Sequence, residues 1–230
     1  MARYLASHIE AVLQRGFDSL TGFMAWSNFE DLLDTMGHTE GETHSLLYFD
    51  MDRLHVANDT LGREIGDEIL TSFARIAREE LPGHLLTRIT SDSFAALLLD
   101  TDIESARQHA ETICSRVRLL EFGRGDRIYR ASVSIGVGPL GGGAGDEVGP
   151  LATAKVACGA AKDRGRGRVE VYQAADASII QRFDDIHLVG QIRNAIESDR
   201  LMLVAQPIMP IREGTGHPYC EVLVRILDDE

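Results

Sequence analysis

Two apolar runs on either side of a short polar stretch constrain this chain more than any other feature. Leu85-Leu86 comes before the stretch, residues 94–99 come after it, and residues 88–93 lie between them. Short apolar runs joined by a few polar residues are typical of a β-hairpin. The sequence therefore predicts a hairpin that carries a polar tip.

The rest of the first 173 residues alternates between helical and strand-like patterns. Apolar spacing predicts helices over 1–16, 26–36, 65–77, 103–120 and 151–162, strands over 45–49, 129–137 and 168–172, and a Gly-rich loop over 138–150. This order of helices and strands predicts an α/β sandwich with a mixed central sheet.

The pattern changes near residue 174. The spacing predicts a long helix over 178–198 and two strand-like runs, 201–208 and 219–225, around a Gly/Pro loop. We therefore divide the chain into four parts. They are an N-terminal helix or linker (1–16), a main domain (17–173), a connecting helix (174–200) and the start of a further domain (201–230).

Composition narrows the class of protein. A net charge of −13 disfavours non-specific contact with nucleic acid. Three cysteines without metal-ligand spacing predict buried thiols in a reducing compartment, so we expect a cytoplasmic protein. No apolar run approaches the roughly 20 residues that cross a bilayer, so no membrane segment is predicted.

Carboxylates follow the apolar run that ends at Phe49. Asp50 is predicted at the end of a strand and Asp92 at the hairpin tip, where two carboxylates could clamp a metal ion. The alternative is that Asp50 and Asp52 only cap the helix that follows the strand. Spacing alone leaves both interpretations standing.

Two further pairs of polar residues are candidate binding groups. Asn58 and Asp67 can donate and accept hydrogen bonds, or they can end a turn and cap a helix. Lys162 and Arg166 belong to the one dense basic cluster, 161–168. They can hold phosphate, or they can be a solvated helix end.

The order of these motifs resembles the GGDEF family, the diguanylate cyclases of bacterial cyclic di-GMP signalling. That family's tip reads Gly-Gly-Asp/Glu-Glu-Phe, whereas this chain reads Thr90-Ser91-Asp92-Ser93-Phe94. The resemblance implies a GGDEF-type fold, GTP with Mg²⁺, and a dimer, because a cyclase needs two such domains facing each other. It also implies site roles: metal ligands at Asp50 and Asp92, guanine contacts at Asn58 and Asp67, and triphosphate contacts at Lys162 and Arg166.

The departures from the family pattern concentrate around the same pocket. Ser93 replaces an acidic residue and cannot supply a negative charge. Thr90 and Ser91 replace glycines, and a β-branched residue there is expected to crowd the triphosphate or distort the turn. His55 replaces a lysine. The resemblance therefore implies a degenerate site without cyclase activity.

The family's inhibitory Arg-x-x-Asp motif is also missing. Leu81 and His84 occupy its two defining positions. We therefore expect no product-inhibition site of the usual kind.

The C-terminal part resembles the start of an EAL domain, the cyclic di-GMP phosphodiesterase family. Gln206, Glu221 and Arg225 match family positions, Glu221 as a metal ligand and the other two as contacts of cyclic di-GMP. Only the first strands of such a barrel are present, so this part alone is not expected to hydrolyse anything.

These resemblances predict a cyclic di-GMP signalling module. In it a degenerate GGDEF domain regulates an attached EAL domain, with GTP or cyclic di-GMP as the ligand. One alternative is an active diguanylate cyclase that converts two GTP to cyclic di-GMP. The other is a dimerisation scaffold that binds no nucleotide.

Overall fold

The chain divides into two compact units in a computed structural model, 1–182 and 183–230. The structure describes residues 16–36, 44–124, 127–140, 151–173, 195–196, 198–208 and 219–226. The predicted helix over 1–16 and most of the one over 178–198 lie outside the described residues, as does most of the Gly-rich loop.

The first unit contains helices and strands in alternation. Its described helices are α1 (Trp26–Met36), α2 (Leu54–Leu61), α3 (Arg63–Glu80), α4 (Ile103–Arg118) and α5 (Ala152–Asp163). Its described strands are β1 (Met24–Ala25), β2 (Ser45–Met51), β3 (Leu85–Arg88), β4 (Ser93–Leu98), β5 (Glu121–Arg124), β6 (Arg127–Arg130), β7 (Val133–Pro139) and β8 (Val169–Val171).

Six of these strands form one mixed sheet in the order β1-β3-β4-β2-β7-β8. The outer pairs β1–β3 and β7–β8 are parallel, and the inner pairs are antiparallel. β3 and β4 form the predicted hairpin, and β4 pairs directly with β2. β5 and β6 form a separate small hairpin. The predicted α/β fold with a mixed sheet is confirmed.

Apolar side chains cover both faces of this sheet, because successive residues of a strand point to opposite sides. Leu47, Phe49 and Met51 of β2 face a core built with α3 and α4. Leu46 and Tyr48 face a second core built with α1 and α5. By the same alternation, Asp50 belongs to the face that α5 covers.

Helix α5 lies unusually close to the sheet. A Cβ atom added at Gly136 of β7 would come within 1.9 Å of the Ala154 carbonyl oxygen and 2.2 Å of the Cys158 nitrogen. The backbones can meet only because the strand carries glycine there and the helix carries small residues. This packing fixes the last turn of α5 close to the end of β2.

The predicted elements are largely confirmed, but several differ from the prediction. Helix α1 has the predicted bounds, and α3 extends the predicted helix at both ends. The single strand predicted over 129–137 is wrong, since residues 131–132 separate β6 from β7. Helix α2 was not predicted. It starts after Arg53, which has a left-handed φ of 54° and makes no side-chain cap, so it lacks the usual start signal.

The second unit contains two described strands, β9 (Leu201–Ile208) and β10 (Tyr219–Ile226). They pair antiparallel, with Gln206 opposite Glu221 and Met202 opposite Arg225. Both strand-like runs predicted from sequence are confirmed. No closed barrel is seen among the described residues.

Candidate functional site

An ion pair marks the end of β2. Asp50 Oδ2 lies 2.6 Å from Lys162 Nζ, and the two side chains are 16% and 31% exposed. Burial raises the pKa of Asp50, and the nearby Asp92 carboxylate adds to this, while the Lys162 ammonium opposes it. Asp50 therefore already holds one cation in a partly desolvated position.

Lys162 reaches Asp50 because it lies in the last turn of α5, the helix packed closely on β7. The interpretation of Lys162 as a solvated helix end is therefore wrong. Arg166 is different: its side chain is exposed, in a loop beyond the helix, where its φ is +64°. The structure brings Lys162 to the carboxylates and leaves Arg166 to one side.

The hairpin tip joins β2 through its backbone. Met51 N donates to the Asp92 carbonyl oxygen at 2.9 Å, and Asp50 is opposite Ser93 in the β2–β4 register. Asp92 is half-buried. Asp50 and Asp92 are therefore neighbours at one sheet edge, as predicted. The alternative that Asp50 and Asp52 cap the next helix is wrong, because α2 makes no side-chain cap.

Hydroxyl groups fill the position where the family has its second acid. Ser93 is only 2% exposed, and its Oγ lies 2.6 Å from Thr90 Oγ1. Thr90 Oγ1 donates in turn to Asp92 Oδ1 at 3.0 Å. Burial raises the pKa of the Tyr48 hydroxyl, and Ser93 partly opposes this rise.

The backbone of the tip does not require glycine. The φ angles of Thr90 and Ser91 are not positive. Arg88 holds the turn instead, since its guanidinium donates to the Thr90 carbonyl at 3.0 Å and the Ser91 carbonyl at 2.8 Å. The expectation that Thr90 would distort the turn is therefore not met, and the exposed Thr90 side chain occupies the surface of the tip.

Asn58 and Asp67 come together across two helices. Asn58 lies inside α2, and its amide packs on Gly66 of α3, where an added Cβ would meet Asn58 Oδ1 at 1.8 Å. Asp67 is the next residue and is exposed. Asn58 does not end a turn, and Asp67 does not cap a helix, since Gly62 precedes α3. Within the described part of the chain, no hydrogen bond engages either side chain.

Asp52 has a role that spacing did not reveal. It is 4% exposed and accepts hydrogen bonds from Ser134 Oγ (2.7 Å), Ser132 Oγ (2.9 Å) and Gly167 N (2.9 Å). Three donors are enough to keep a buried carboxylate satisfied. Asp52 thereby ties β7 to the loop that carries Arg166. The alternating Ser132 and Ser134 were the available signal.

Three other predicted positions belong to the core or the base of the hairpin. Phe94 is fully buried, with its ring centroid 4.7 Å from that of Phe73. Leu81 is also buried, while His84 Nδ1 accepts a hydrogen bond from Leu99 N at 3.3 Å. Burial lowers the pKa of His84, and the neighbouring His109 adds to the effect. Neither Leu81 nor His84 offers a charged contact.

The carboxylates of Asp50 and Asp92 could supply part of the coordination shell of a magnesium ion. Mg²⁺ takes one or two carboxylates and completes its shell with phosphate and water, which Asp50 and Asp92 could supply. The described residues contain no cluster of three or more His, Cys, Asp or Glu that would hold a metal without a nucleotide. The described helices include none able to span a membrane.

Comparison with known proteins agrees with this geometry. The family described as "Diguanylate cyclase, GGDEF domain" matches residues 15–168. The chain belongs to the GGDEF family. "Probable diguanylate cyclase DgcE" of Escherichia coli is 32% identical over 90% of this chain, but over only 19% of its own length. Cyclic di-GMP phosphodiesterase PdeB of Shewanella oneidensis is 28% identical over 91% of this chain and 24% of its own.

Solved structures show the same fold. Diguanylate cyclase SiaD of Pseudomonas aeruginosa, solved with its activator SiaC, has a TM-score of 0.62 and 26% identity over 74% of this chain and 66% of its own. The GGDEF domain of DgcB from Caulobacter crescentus, solved with c-di-GMP, has a TM-score of 0.61 and 24% identity over 69% and 93%. The chain spans between about a fifth and a third of the length of DgcE, PdeB and three further curated relatives.

Proposed function

We propose that this chain is a regulatory module of cyclic di-GMP signalling, whose GGDEF domain binds GTP but does not join two GTP molecules. In this proposal the domain acts on an attached EAL domain, of which β9 and β10 are the first strands. Its relatives include proteins named as cyclases and as phosphodiesterases, so sequence similarity does not decide between these activities for this chain. The site geometry is what favours the regulatory role.

One observation carries the proposal: Ser93 is buried, uncharged and already hydrogen-bonded. The family has an acid at this position, and here the hydroxyl bonds Thr90 instead. Loss of one charged group that stabilises a transition state costs on the order of 100- to 1000-fold in rate. Thr90 and Ser91 add side chains to the surface that the triphosphate would approach.

The retained residues support nucleotide binding. Asn58 and Asp67 offer an acceptor and donor set for the guanine edge, and neither is committed to another described group. Lys162 would contact the phosphates as a point charge, and Arg166 as a fork. Asp50 and Asp92 would hold Mg²⁺, which when bound neutralises phosphate charge. These contacts are also the observation that favours the alternative of an active cyclase.

The second unit supports the link to an EAL domain. Gln206 and Glu221, both matched to EAL positions, lie directly opposite each other in the β9–β10 register, and Arg225 follows on β10. The pairing places the proposed metal ligand beside a proposed ligand contact. Hydrolysis is not proposed for these two strands.

Calorimetric titration with GTP and Mg²⁺, followed by chromatography of the mixture, tests the proposal. We expect GTP to bind, Asn58→Ala and Asp67→Ala each to weaken binding about tenfold, and no cyclic di-GMP to form. Asp59→Ala, an exposed change on α2, is the matched control. No binding would favour the scaffold, while GTP-dependent cyclic di-GMP that disappears in Asp92→Ala would establish the active cyclase.

A further inference from the structure

Four arginines converge on a cavity that lies outside the residues matched to guanine and metal. The cavity has a volume of about 470 Å³ and opens between α4 and the loop that follows α5. Its lining includes Arg118 from α4 and Arg164, Arg166 and Arg168 from the loop. This is an unusual concentration of positive charge in a chain whose net charge is −13.

The lining is held in place rather than loosely assembled. Asp52 accepts from Gly167 N at 2.9 Å, and Arg118 donates to the Gly167 carbonyl oxygen, so the loop is fixed from both sides. Arg168 donates to the Arg164 carbonyl at 3.1 Å. Guanidinium groups on a fixed backbone lose less freedom when they bind an anion.

The positive charge is only partly neutralised. Glu170 pairs with both Arg164 (2.5 Å) and Arg168 (2.9 Å). The carboxylate in the lining, Glu111, is already paired with Arg107. One carboxylate therefore serves two arginines, while Arg118 and Arg166 form no ion pair with any described residue. An oxyanion would find charge-assisted donors here without displacing an existing pair.

The lining also indicates which part of a ligand is recognised. The described lining residues include no aromatic ring on which a base could stack, and Val169 is their one large apolar side chain. Cys114 and Ser115 complete the α4 side. A volume within the range of small-molecule sites, lined by several forks for oxyanions, suits a ligand with more than one phosphate group.

We propose that this arginine cavity binds a compact anion carrying two or more phosphate groups, at a site separate from the guanine pocket. The proposal does not depend on GTP binding. Of the residues assigned to the nucleotide, the cavity includes Arg166 but not Lys162, Asn58 or Asp67. Binding here would occur without a divalent metal, because the arginines themselves neutralise the phosphates.

Titration of the full chain with inorganic pyrophosphate, in EDTA at low salt, tests this. We expect binding that weakens at least tenfold in Arg118→Gln and in Arg168→Gln. It should remain within twofold in Arg130→Gln, which removes the same charge from exposed β6. Thermal unfolding of each variant shows whether it remains folded.

Three results would overturn the proposal. They are no binding at millimolar pyrophosphate, equal binding by folded Arg118→Gln and wild type, and loss of binding in Lys162→Gln with retention in Arg118→Gln. The third would place pyrophosphate in the nucleotide pocket. Guanosine, which carries no phosphate, should not compete, and competition would also count against the proposal. Failure of GTP to bind in the earlier titration would leave these outcomes unchanged.

Discussion

The hairpin tip, residues 89–93, and the arginine loop, residues 164–168, both carry motif residues at the edge of the sheet, but they satisfy their polar groups in opposite ways. In the tip, the hydroxyls of Thr90 and Ser93 bond each other and the Asp92 carboxylate. In the loop, Asp52 satisfies the backbone and leaves the Arg166 guanidinium to solvent. The polar groups of the tip therefore hydrogen-bond one another, whereas the loop exposes the charged side chain of Arg166 to solvent.

In our proposal this difference separates binding from catalysis. The proposed binding groups belong to α2, α3, α5 and the arginine loop. The tip is where a reaction between two nucleotides would need a second negative charge beside Asp92, and at that position the chain has the neutral hydroxyl of Ser93. Under this proposal the fold keeps the binding groups and lacks the second acid, because the two lie on different elements.

Restoring the tip should have the largest effect. The triple variant Thr90→Gly, Ser91→Gly, Ser93→Glu returns the family pattern while leaving Asp50, Asp92 and Lys162 in place. We expect cyclic di-GMP formation from GTP to rise at least about 100-fold above the wild-type background, measured by chromatography. The same variant with Asp92→Ala is the control and should stay at background. A folded triple variant without activity would show that the defect lies outside the tip.

Removing the anchor of the arginine loop tests the other region. Asp52→Ala leaves Ser132, Ser134 and the Gly167 N–H without their acceptor in a buried place. We expect the free energy of unfolding to fall by about 3 kcal/mol, measured by urea denaturation. Asp59→Ala, an exposed aspartate on α2, should change it by less than about 0.5 kcal/mol. Equal effects of the two variants would contradict the anchoring role.

A smaller change tests the guanine contacts. Gly66→Ala would place a Cβ at 1.8 Å from Asn58 Oδ1, so the amide must move while the helix keeps its propensity. We expect the Kd for GTP to rise about tenfold. Glu68→Ala, exposed two residues further along α3, should leave the Kd unchanged. An unaltered Kd in Gly66→Ala would show that Asn58 does not read the base.

The smallest effect is expected at the base of the hairpin, where substitution of His84 should change only how stability depends on pH. The pKa of His84 is lowered in the fold from 6.5, so as pH falls below that value the unfolded chain takes up a proton first. Stability is then lost as pH falls. We expect His84→Gln to flatten this dependence between pH 7 and 5, measured by thermal unfolding, without affecting GTP binding. A steeper dependence in the variant would contradict the direction of the pKa shift.

Apolar periodicity predicted most of the fold. The hairpin, α1 and α4, and the order of helices and strands follow from residues whose burial is repeated at regular spacing. Helix α2 was not predicted because Arg53 gives no capping signal. The alternating pattern over 129–137 does not reveal the break between β6 and β7 at residues 131–132.

The site was predicted in part. Spacing placed Asp50 beside Asp92, since both were predicted where strands end, whereas the pairing of Asn58 with Asp67 came from the family resemblance. It did not predict the anchoring of Gly167 by Asp52, because that contact joins elements distant in sequence. It also did not predict the clamp that Arg88 forms on the tip, a local contact from a side chain to the backbone that apolar periodicity does not report. The roles assigned to these site residues stay predictions until nucleotide binding is measured.

Turnover by the unmodified chain tests the central claim most directly. The purified protein is incubated with Mg²⁺ and saturating radiolabelled GTP, and the products are separated by chromatography. The account predicts intact GTP and no cyclic di-GMP above the protein-free blank. Steady formation of cyclic di-GMP, abolished by Asp92→Ala, would contradict it.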